Sequence, residues 1–360
     1  MNYRNVFRNI MMTALLLIAV FPVTGALVQM QESEPVSLLL VTHDSFSVSE
    51  ELLNAFQEET GIIVQIVRLG DTGTLVNQLV LSANNPLGDV AFGIDNTFLS
   101  RALDAELFIP YESELLEVVS DEFEIDPEHR VTPITFGDIC LNYDVAYFEE
   151  NDLEVPASLE DLADPAYKSL LVVENPATSS PGLGFLLATI DAFGEDGYLD
   201  YWQQLVDNDV LVVDDWTTAY YGEFTVPSES GTRPLVVSYA SSPPAEVYFA
   251  DPQPETAPTA SVVADGTCFR QIEFAGVLEG TRYEAEAQQL IDFLLGEAFQ
   301  SDLPLQMFVF PVNEEVELPE VFVEYAAIPE QPVELDEEAI ELLEEKREDW
   351  LEAWTEAVLR

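Results

Sequence analysis

Lysine is nearly absent from this sequence of 360 residues, which contains only Lys168 and Lys346. Lysine and arginine together number 12, whereas aspartate and glutamate number 68, so the formal net charge is −56. This charge excludes a general nucleic-acid binder and a polybasic membrane-surface protein. It indicates adaptation to a salty medium, where salt screens the self-repulsion of the chain, or else a cationic partner.

Histidine is equally scarce, with His43 and His129 alone, and neither lies at a spacing typical of a metal site. The chain also lacks a Gly-x-Ser-x-Gly elbow, a Walker A loop, a His-Glu-x-x-His pair and a Gly-x-Gly-x-x-Gly turn. Carboxylates are too abundant for any pair of them to stand out as catalytic. The sequence therefore predicts a binding protein without catalytic residues, metal or cofactor, rather than an enzyme.

Only two cysteines are present, Cys140 and Cys268, and each lies in a short apolar segment. In an exported protein such a pair is compatible with a single disulfide. Two buried free thiols fit the same pattern, so the sequence leaves both states open.

Long hydrophobic runs are missing except near the N-terminus. Residues 1–26 contain no acidic side chain, and Arg4 and Arg8 precede an apolar run over 10–20 that is followed by small residues up to Ala26. This pattern is typical of a secretory signal peptide, and the run is too short for a membrane-spanning helix. We therefore predict an exported protein whose net charge becomes −58 once the two arginines are removed.

Apolar residues make up 48% of the chain, which is enough for a folded core. Short strand patterns alternate with helical patterns and polar loops, as in an open α/β sheet. The predicted strands cover 36–41, 62–67, 89–92, 169–173, 210–213 and 235–238, and the predicted helices include 49–59, 74–82, 183–193 and 284–295. One or two acidic helices are predicted over 336–359.

Two extended segments, 131–143 and 262–274, are candidates for crossings between two such regions. We therefore predict an α/β fold with two lobes, each an open mixed sheet flanked by helices, joined by a two-crossing hinge. Lobe 1 is predicted to comprise 36–136 and 266–318, and lobe 2 to comprise 139–264 and the C-terminal helices 335–360. Loops at strand ends converge in a cleft between such lobes, which is the usual ligand site of these sheets.

A polar loop over 178–182 ends one predicted strand and opens the following helix. Ser180 is placed to cap that helix, and Pro181 fits its first turn. Free N–H groups at such a helix start bind an anionic or hydroxyl group, helped by the helix dipole. An ordinary capped helix has the same pattern, so this loop alone does not define a site.

Two further strand-end loops place aromatic rings beside small hydroxyl side chains. Trp216 and Tyr220 lie in one loop and Tyr239 lies in the other. Aromatic faces with nearby carboxylates suit a flat cationic ring, although each aromatic alone also fits a core position. The carboxylates that follow the first three strands, and that equally fit turn or cap positions, are Asp44, Asp71 and Asp95.

Taken in order, these loops resemble those of the thiamine-binding periplasmic proteins of thiamine ABC transporters. The matching pieces are Thr42-His43-Asp44-Ser45-Phe46, Asp71 with Leu75-Val76-Asn77, Gly93-Ile94-Asp95-Asn96, Thr178-Ser179-Ser180-Pro181-Gly182-Leu183-Gly184, Trp216 with Ala219-Tyr220, and Ser238-Tyr239 with Ser241-Ser242-Pro243. The resemblance continues as far as Trp354 and so covers nearly all of the chain after the predicted signal peptide.

The resemblance implies a type II periplasmic-binding-protein fold with the ligand held between the lobes. Transferred position by position, the ligand contacts would be Asp71, Thr72, Thr178, Ser179, Trp216, Tyr239, Ala240, Ser241 and Ser242, with Tyr220 and Phe308 as further ring contacts and Asp44 and Asp95 facing the same cleft. Two positions depart from the family pattern. Thr72 stands where the family commonly has glycine, and His43 stands where the family has tyrosine.

The implied function is that of a periplasmic solute-binding protein, which captures thiamine or a thiamine phosphate and delivers it to an ABC transporter permease. Thiamine suits the aromatic loops because it combines a cationic thiazolium with a flat aminopyrimidine. Thiamine is then a transported ligand rather than a cofactor. We also expect a monomer with no nucleic-acid partner.

Other functions stay open. The adjacent Tyr220 and Tyr221 are compatible with a ferric-iron site on the same fold, since phenolates suit a hard cation. Carboxylates in the cleft would suit a polyamine. A secreted enzyme would need a nucleophile such as Cys140, which does not lie at a helix start. An acidic surface protein is a further alternative, but the chain shows no internal repeat.

Overall fold

A mixed sheet of eleven strands organises the part of the chain that the computed structural model describes, residues 35–335 and 337–360. The strands are β1 (Val36–Thr42), β2 (Ile62–Arg68), β3 (Val90–Asp95), β4 (Phe108–Ile109), β5 (Thr132–Asp144), β6 (Leu171–Glu174), β7 (Leu211–Val213), β8 (Leu235–Tyr239), β9 (Thr259–Val262), β10 (Phe269–Leu278) and β11 (Phe310–Pro311). Their hydrogen-bonded order is β2-β1-β3-β10-β5-β8-β6-β7, with β4 on β10 and with β9 and β11 on β5. The outer pairs are parallel, whereas β10 and β5 in the middle run antiparallel to their neighbours.

Eleven α-helices flank the sheet within the described residues. They are α1 (Glu50–Thr60), α2 (Thr72–Leu81), α3 (Leu99–Asp104), α4 (Val145–Glu150), α5 (Ser180–Phe193), α6 (Tyr198–Asp207), α7 (Pro243–Tyr248), α8 (Glu284–Leu295), α9 (Glu297–Gln306), α10 (Glu320–Tyr325) and α11 (Glu337–Val358). Short 3-10 turns cover Glu114–Val118, Asp121–Phe123, Glu160–Ala163 and Pro165–Tyr167, and a π-helical turn covers Thr218–Glu223. The predicted α/β class with an open mixed sheet is confirmed.

Predicted and observed elements agree closely where the hydrophobic period is clear. The helix predicted over 49–59 is α1, and it ends at Gly61, whose φ of +75° suits glycine. The chain then returns as β2, which pairs in parallel with β1. The loops after these two strands therefore meet, and the Gly70 N–H donates to Asp44 Oδ1 at 3.1 Å.

Strand β5 is the long central strand of the sheet. From Thr132 to Ile139 it pairs with β10, and from Ile139 to Asp144 it pairs with β8 and β9. It thereby leads from the β1-β2-β3 side of the sheet to the β6-β7-β8 side. This course is compatible with the crossing predicted over 131–143, and the division into two lobes with the stated boundaries stays a prediction.

The return segment differs from the prediction. A single extended stretch was expected over 262–274, but β9 ends at Val262 and β10 begins only at Phe269. A turn separates them, in which the Thr267 N–H donates to the Ala264 carbonyl and Gly266 has a φ of +70°. The expectation was wrong for this stretch because a tight turn, in which Gly266 takes a left-handed conformation, separates the two strands.

The turn leads directly into a disulfide between Cys268 and Cys140. Both residues are fully buried, and they pack with Ala240, the residue that follows β8. Of the two states that the sequence left open, a disulfide or two buried free thiols, the structure has the disulfide. It joins the beginning of β10 covalently to the middle of β5.

The C-terminal segment forms the single helix α11 rather than two helices. Trp354 packs edge-on against Trp202 of α6, with ring centroids 5.3 Å apart. Arg347 donates from Nη2 to Ser100 Oγ of α3 at 2.6 Å. No helix among the described residues has the length and apolar character needed to cross a membrane. The predicted signal peptide, 1–26, lies outside the described residues.

Candidate functional site

A cavity of about 360 Å³ opens where the loops after β1, β2, β7 and β8 meet the segment 306–309. Its lining combines aromatic rings, carboxylates and a few hydroxyl groups. The lining residues are His43, Asp44, Ser45, Asp71, Thr72, Pro181, Trp216, Thr217, Tyr220, Tyr221, Tyr239, Ser242, Ala245, Phe249, Glu273, Gln306, Met307, Phe308 and Val309. Such a concave, mostly apolar site with few polar groups is typical of small-molecule binding.

Most of the residues predicted from the sequence as ligand contacts meet in this cavity. Those that line it are Asp44, Asp71, Thr72, Trp216, Tyr220, Tyr239, Ser242 and Phe308. Those that do not line it are Asp95, Thr178, Ser179, Ala240 and Ser241. The structure thus shows which predicted residues line the cavity and which do not. The contact of each residue with a ligand stays a prediction.

Asp71 joins two of the loops around the cavity. As the N-cap of α2, its Oδ1 accepts from the Thr72 N–H at 2.8 Å, and its Oδ2 accepts from the Trp216 N–H at 3.2 Å. Burial raises the pKa of Asp71, although the hydrogen bonds and the charge of His43 oppose that rise. One carboxylate therefore fixes both the start of α2 and the backbone that carries Trp216.

Three aromatic rings form a wall of the cavity. The Trp216 and Tyr220 rings are stacked, with centroids 5.1 Å apart and planes at 19°, and Tyr239 meets Trp216 at 6.4 Å and 63°. Trp216 is anchored because its Nε1 donates to Ser238 Oγ at 2.9 Å. The hydroxyl of Tyr220 donates to Glu246 Oε1, and the hydroxyl of Tyr239 donates to Gln271 Oε1. The wall is therefore positioned before any ligand enters.

Burial raises the pKa of the Tyr220 and Tyr239 hydroxyls well above the ordinary value, and the nearby carboxylates reinforce that shift. Each hydroxyl already donates its proton to another side chain. Tyr221, the other tyrosine of the ferric-iron alternative, also lines the cavity, and burial raises the pKa of its hydroxyl as well. These shifts work against the phenolates that a ferric-iron site needs.

Phe308 reaches the cavity from an unusual backbone conformation, with a φ of +55°. The Ser241 hydroxyl donates to the Phe308 carbonyl at 2.7 Å and holds that conformation. Ser241 was predicted as a ligand contact, but it does not line the cavity. Left-handed backbone at a bulky non-glycine residue is uncommon, and it persists here because the surrounding structure holds it.

Two other predicted residues that miss the cavity, Asp95 and Ala240, have structural partners. Asp95 is fully buried at the end of β3, and its Oδ1 accepts from the Thr97 N–H and Oγ1 in the turn before α3. Burial raises its pKa to about 6. Ala240 packs on the disulfide, and its N–H donates to the Asp138 carbonyl. These residues hold the loops in place rather than face the cavity.

The start of α5 also differs from the prediction. Ser179, not Ser180, is the N-cap residue, and it makes no side-chain capping hydrogen bond. The reason is a turn in which the N–H groups of Thr178 and Ser179 both donate to the Asn175 carbonyl. The helix therefore begins at Ser180, one residue earlier than a Ser180 cap would give. Thr178 Oγ1 donates to the Asp214 carbonyl, and neither Thr178 nor Ser179 lines the cavity.

Sequence reasoning missed an ion pair in the cavity wall, between His43 Nε2 and Glu273 Oε1 at 3.2 Å. The two groups are in ionic contact without an aligned hydrogen bond, and Glu273 Oε2 accepts from Thr135 Oγ1 at 2.7 Å. The His43 ring fits because residue 93 is glycine, where a Cβ atom would clash with His43 Cδ2. A carboxylate inside the apolar run of β10 was the available signal for Glu273.

The ion pair makes stability depend on pH. Burial opposes both charges, yet Glu273 raises the pKa of His43 above 6.5, and His43 with Thr135 lowers the pKa of Glu273 below 4.5. The His43 contribution is present below its unfolded pKa and is lost as pH rises through the raised folded value. The Glu273 contribution is present above its unfolded pKa and is lost as pH falls through the lowered folded value.

Glu273→Gln is therefore expected to lower the free energy of unfolding by about 3 kcal/mol at about pH 5.5, because it leaves a buried His43 charge unpaired. The loss should shrink as pH rises and His43 becomes neutral. Urea unfolding across this pH range measures both effects. Glu330→Gln, which changes an exposed carboxylate, serves as the control. A loss that does not vary with pH would contradict the ion pair.

Within the described residues, no group of three or more His, Cys, Asp or Glu side chains is arranged to hold a metal ion. The cavity wall instead offers ring faces, hydroxyls and separate carboxylates. Such an arrangement suits reversible binding of an organic molecule with planar, positively charged parts.

A mixed α/β sheet with a ligand-sized cavity at its strand ends is compatible with a solute-binding protein. The model of the family of bacterial extracellular solute-binding proteins matches residues 85–329, and the chain belongs to that family. An extracytoplasmic location follows from this membership. The resemblance and the solute-binding role inferred from the sequence are confirmed.

Individual relatives agree with the family assignment. The chain is 28% identical over 333 residues to the thiamine-binding periplasmic protein of Salmonella typhimurium, covering 90% of this chain and 94% of that protein. A solved periplasmic thiamin binding protein has a TM-score of 0.77 at 26% identity, covering 90% of this chain and 96% of that chain. Iron-bound HitA from Pseudomonas aeruginosa shares the fold, with a TM-score of 0.70 and 23% identity. That match covers 90% of this chain and 99% of that chain.

Proposed function

We propose that this protein binds thiamine in the cavity and delivers it to the permease of an ABC transporter in the membrane. The observation that carries the proposal is the wall of Trp216, Tyr220 and Tyr239 beside the Asp71 carboxylate. Thiamine presents a permanent cation, which the carboxylate complements, and flat heterocycles, which stack on the ring faces. The thiamine-binding relatives support the same ligand.

In this proposal the rings of thiamine contact Trp216, Tyr239 and Phe308, while Asp71 complements the thiazolium charge. The Asp71 link to the Trp216 backbone connects the predicted lobe 1 to the predicted lobe 2 across the cavity. A ligand that touches both sides favours the closed arrangement, and the closed surface is what a permease would recognise. The protein acts as a monomer in the periplasm, after removal of the predicted signal peptide 1–26.

Calorimetric titration of the purified protein with thiamine, ferric citrate and spermidine tests the proposal. We expect one-to-one binding of thiamine with a Kd of about 1 μM or tighter. The titrations should be run at low and high salt, since self-repulsion from the net charge of −56 is screened by salt. Binding of iron with a visible phenolate-to-iron band, or of spermidine, without binding of thiamine would overturn the proposal.

A further inference from the structure

Of the two histidines in the sequence, His43 is the one that lines the cavity, and histidine changes its charge near neutral pH. Its Nε2 is buried without an aligned hydrogen bond and lies 3.2 Å from Oε1 of Glu273, which lines the same cavity from β10. A proton on His43 therefore places a positive charge in the wall of a cavity for which we propose a cationic ligand.

The charged groups around His43 are carboxylates from several elements. Glu273 lies on β10, Asp71 caps α2, Asp95 ends β3, and Asp44 follows His43 in the same loop. Burial lowers the pKa of His43, but the first three carboxylates together raise it above the ordinary value. Among the described residues, no lysine or arginine lines the cavity, so His43 is the cationic group that this part of the chain brings to it.

The proton of His43 and a cationic ligand compete for these carboxylates. While His43 is charged, it neutralises Glu273 and repels a second cation in the cavity. Once His43 is neutral, Glu273 stays charged, because its Oε2 still accepts from Thr135 Oγ1 at 2.7 Å. Loss of the proton therefore makes the cavity more negative and leaves Glu273 to complement the ligand.

We propose that binding of thiamine releases the proton of His43 to the solvent, so that the affinity for thiamine rises as the pH rises. The inference rests on the proposed function and adds a proton to its binding equilibrium. The imidazolium loses its proton, Glu273 remains a carboxylate, and no other bond is formed or broken. Such coupling is reciprocal, so a proton on His43 weakens thiamine binding by the same factor by which thiamine weakens proton binding at His43.

His43 is also a position at which the chain departs from the family pattern, which has tyrosine there. A tyrosine hydroxyl is neutral across the pH range in which histidine ordinarily titrates. We therefore expect this proton release in the present chain and not in relatives that carry tyrosine at the same position.

Nuclear magnetic resonance of the two imidazole rings tests the release directly. The whole protein, isotopically labelled in histidine, is titrated from about pH 5.5 to about pH 9 with and without saturating thiamine. The midpoint of the His43 titration should lie at lower pH in the complex, whereas the His129 resonance should not respond to thiamine. The variant His129→Asn assigns the two signals, since asparagine tolerates the φ of +51° at that position.

The outcomes of this titration separate the inference from the proposed function. The same His43 titration with and without bound thiamine would overturn the inference and leave the proposed function standing. Failure of thiamine to bind at any pH would overturn the proposed function itself.

Calorimetric titration measures the effect on affinity. Thiamine should bind about tenfold more tightly at about pH 8.5 than at about pH 6, with release of protons to the buffer. Titrations at about pH 7 in two buffers that differ in ionisation enthalpy count those protons. Equal binding heats in the two buffers would contradict the release.

The double variant His43→Gln, Glu273→Gln separates His43 from Asp95, whose pKa burial raises to about 6 and which titrates in the same range. It removes the ion pair without leaving either charge buried and unpaired. It should lose most of the tenfold change with pH, whereas His129→Asn should keep it. A tenfold change that persists in the double variant would assign the effect to Asp95 and overturn the inference. The imidazole resonances of the wild-type protein test the same coupling even if this variant fails to fold.

Discussion

Replacing Trp216 by alanine is expected to weaken thiamine binding by at least about 100-fold, equivalent to about 2.8 kcal/mol. The indole stacks on Tyr220 and meets Tyr239 in the cavity wall, so its removal takes away a ring face and opens the wall to water. The expected loss of affinity is large because the variant loses both the cation–π attraction and the apolar contact of the indole. Calorimetric titration of wild type and variant under identical salt measures it.

Trp216→Phe is the matched control for this experiment. Phenylalanine keeps a ring that can stack on Tyr220 but loses the Nε1 hydrogen bond to Ser238. Its affinity should lie between those of wild type and Trp216→Ala. Unchanged binding in Trp216→Ala, with an unchanged midpoint of thermal unfolding, would place the ligand elsewhere and contradict the proposed site.

Loss of the disulfide between Cys140 and Cys268 is expected to cost about 4–5 kcal/mol of the free energy of unfolding. The two residues are separated by 128 positions, and a cross-link over so long a loop removes much of the entropy of the unfolded chain. The double variant Cys140→Ala, Cys268→Ala should therefore unfold at a markedly lower urea concentration than wild type.

Reduced wild-type protein separates the cross-link from the packing of the sulfur atoms. Both cysteines are fully buried, so alanine also removes contacts with Ala240 and its surroundings. Reduction should reproduce most of the loss seen in the double variant. A reduced protein as stable as the oxidised one would show that the constraint on the unfolded chain is unimportant here.

The local pattern of the sequence predicts the strands and helices well because each depends on nearby residues. Helix α8 has the predicted bounds, and α1 differs by one residue at each end. The predicted bounds are wrong where one residue or one short turn decides where an element begins or ends. Gly266 interrupts the stretch expected to be continuous, and the turn at Asn175 shifts the start of α5.

The candidate site was predictable to the extent that it follows strand ends. Asp44, Asp71 and Trp216 come directly after strands, and the sheet order brings them to one cavity. Glu273 was missed because its partner, His43, lies far away in the sequence. Asp95 and Ser241 have the residue types of a ligand site, but only the fold shows that Asp95 Oδ1 and the Ser241 hydroxyl bond to the protein itself.

The positions of the four tryptophans separate two optical signals. Trp202 and Trp354 are in edge contact between α6 and α11, and Trp350 is buried one turn earlier on α11, whereas Trp216 alone lines the cavity. Emission from the first three reports whether the C-terminal helix is docked. Emission from Trp216 reports what occupies the cavity. Intrinsic fluorescence of Trp216→Phe would therefore follow unfolding without following the ligand.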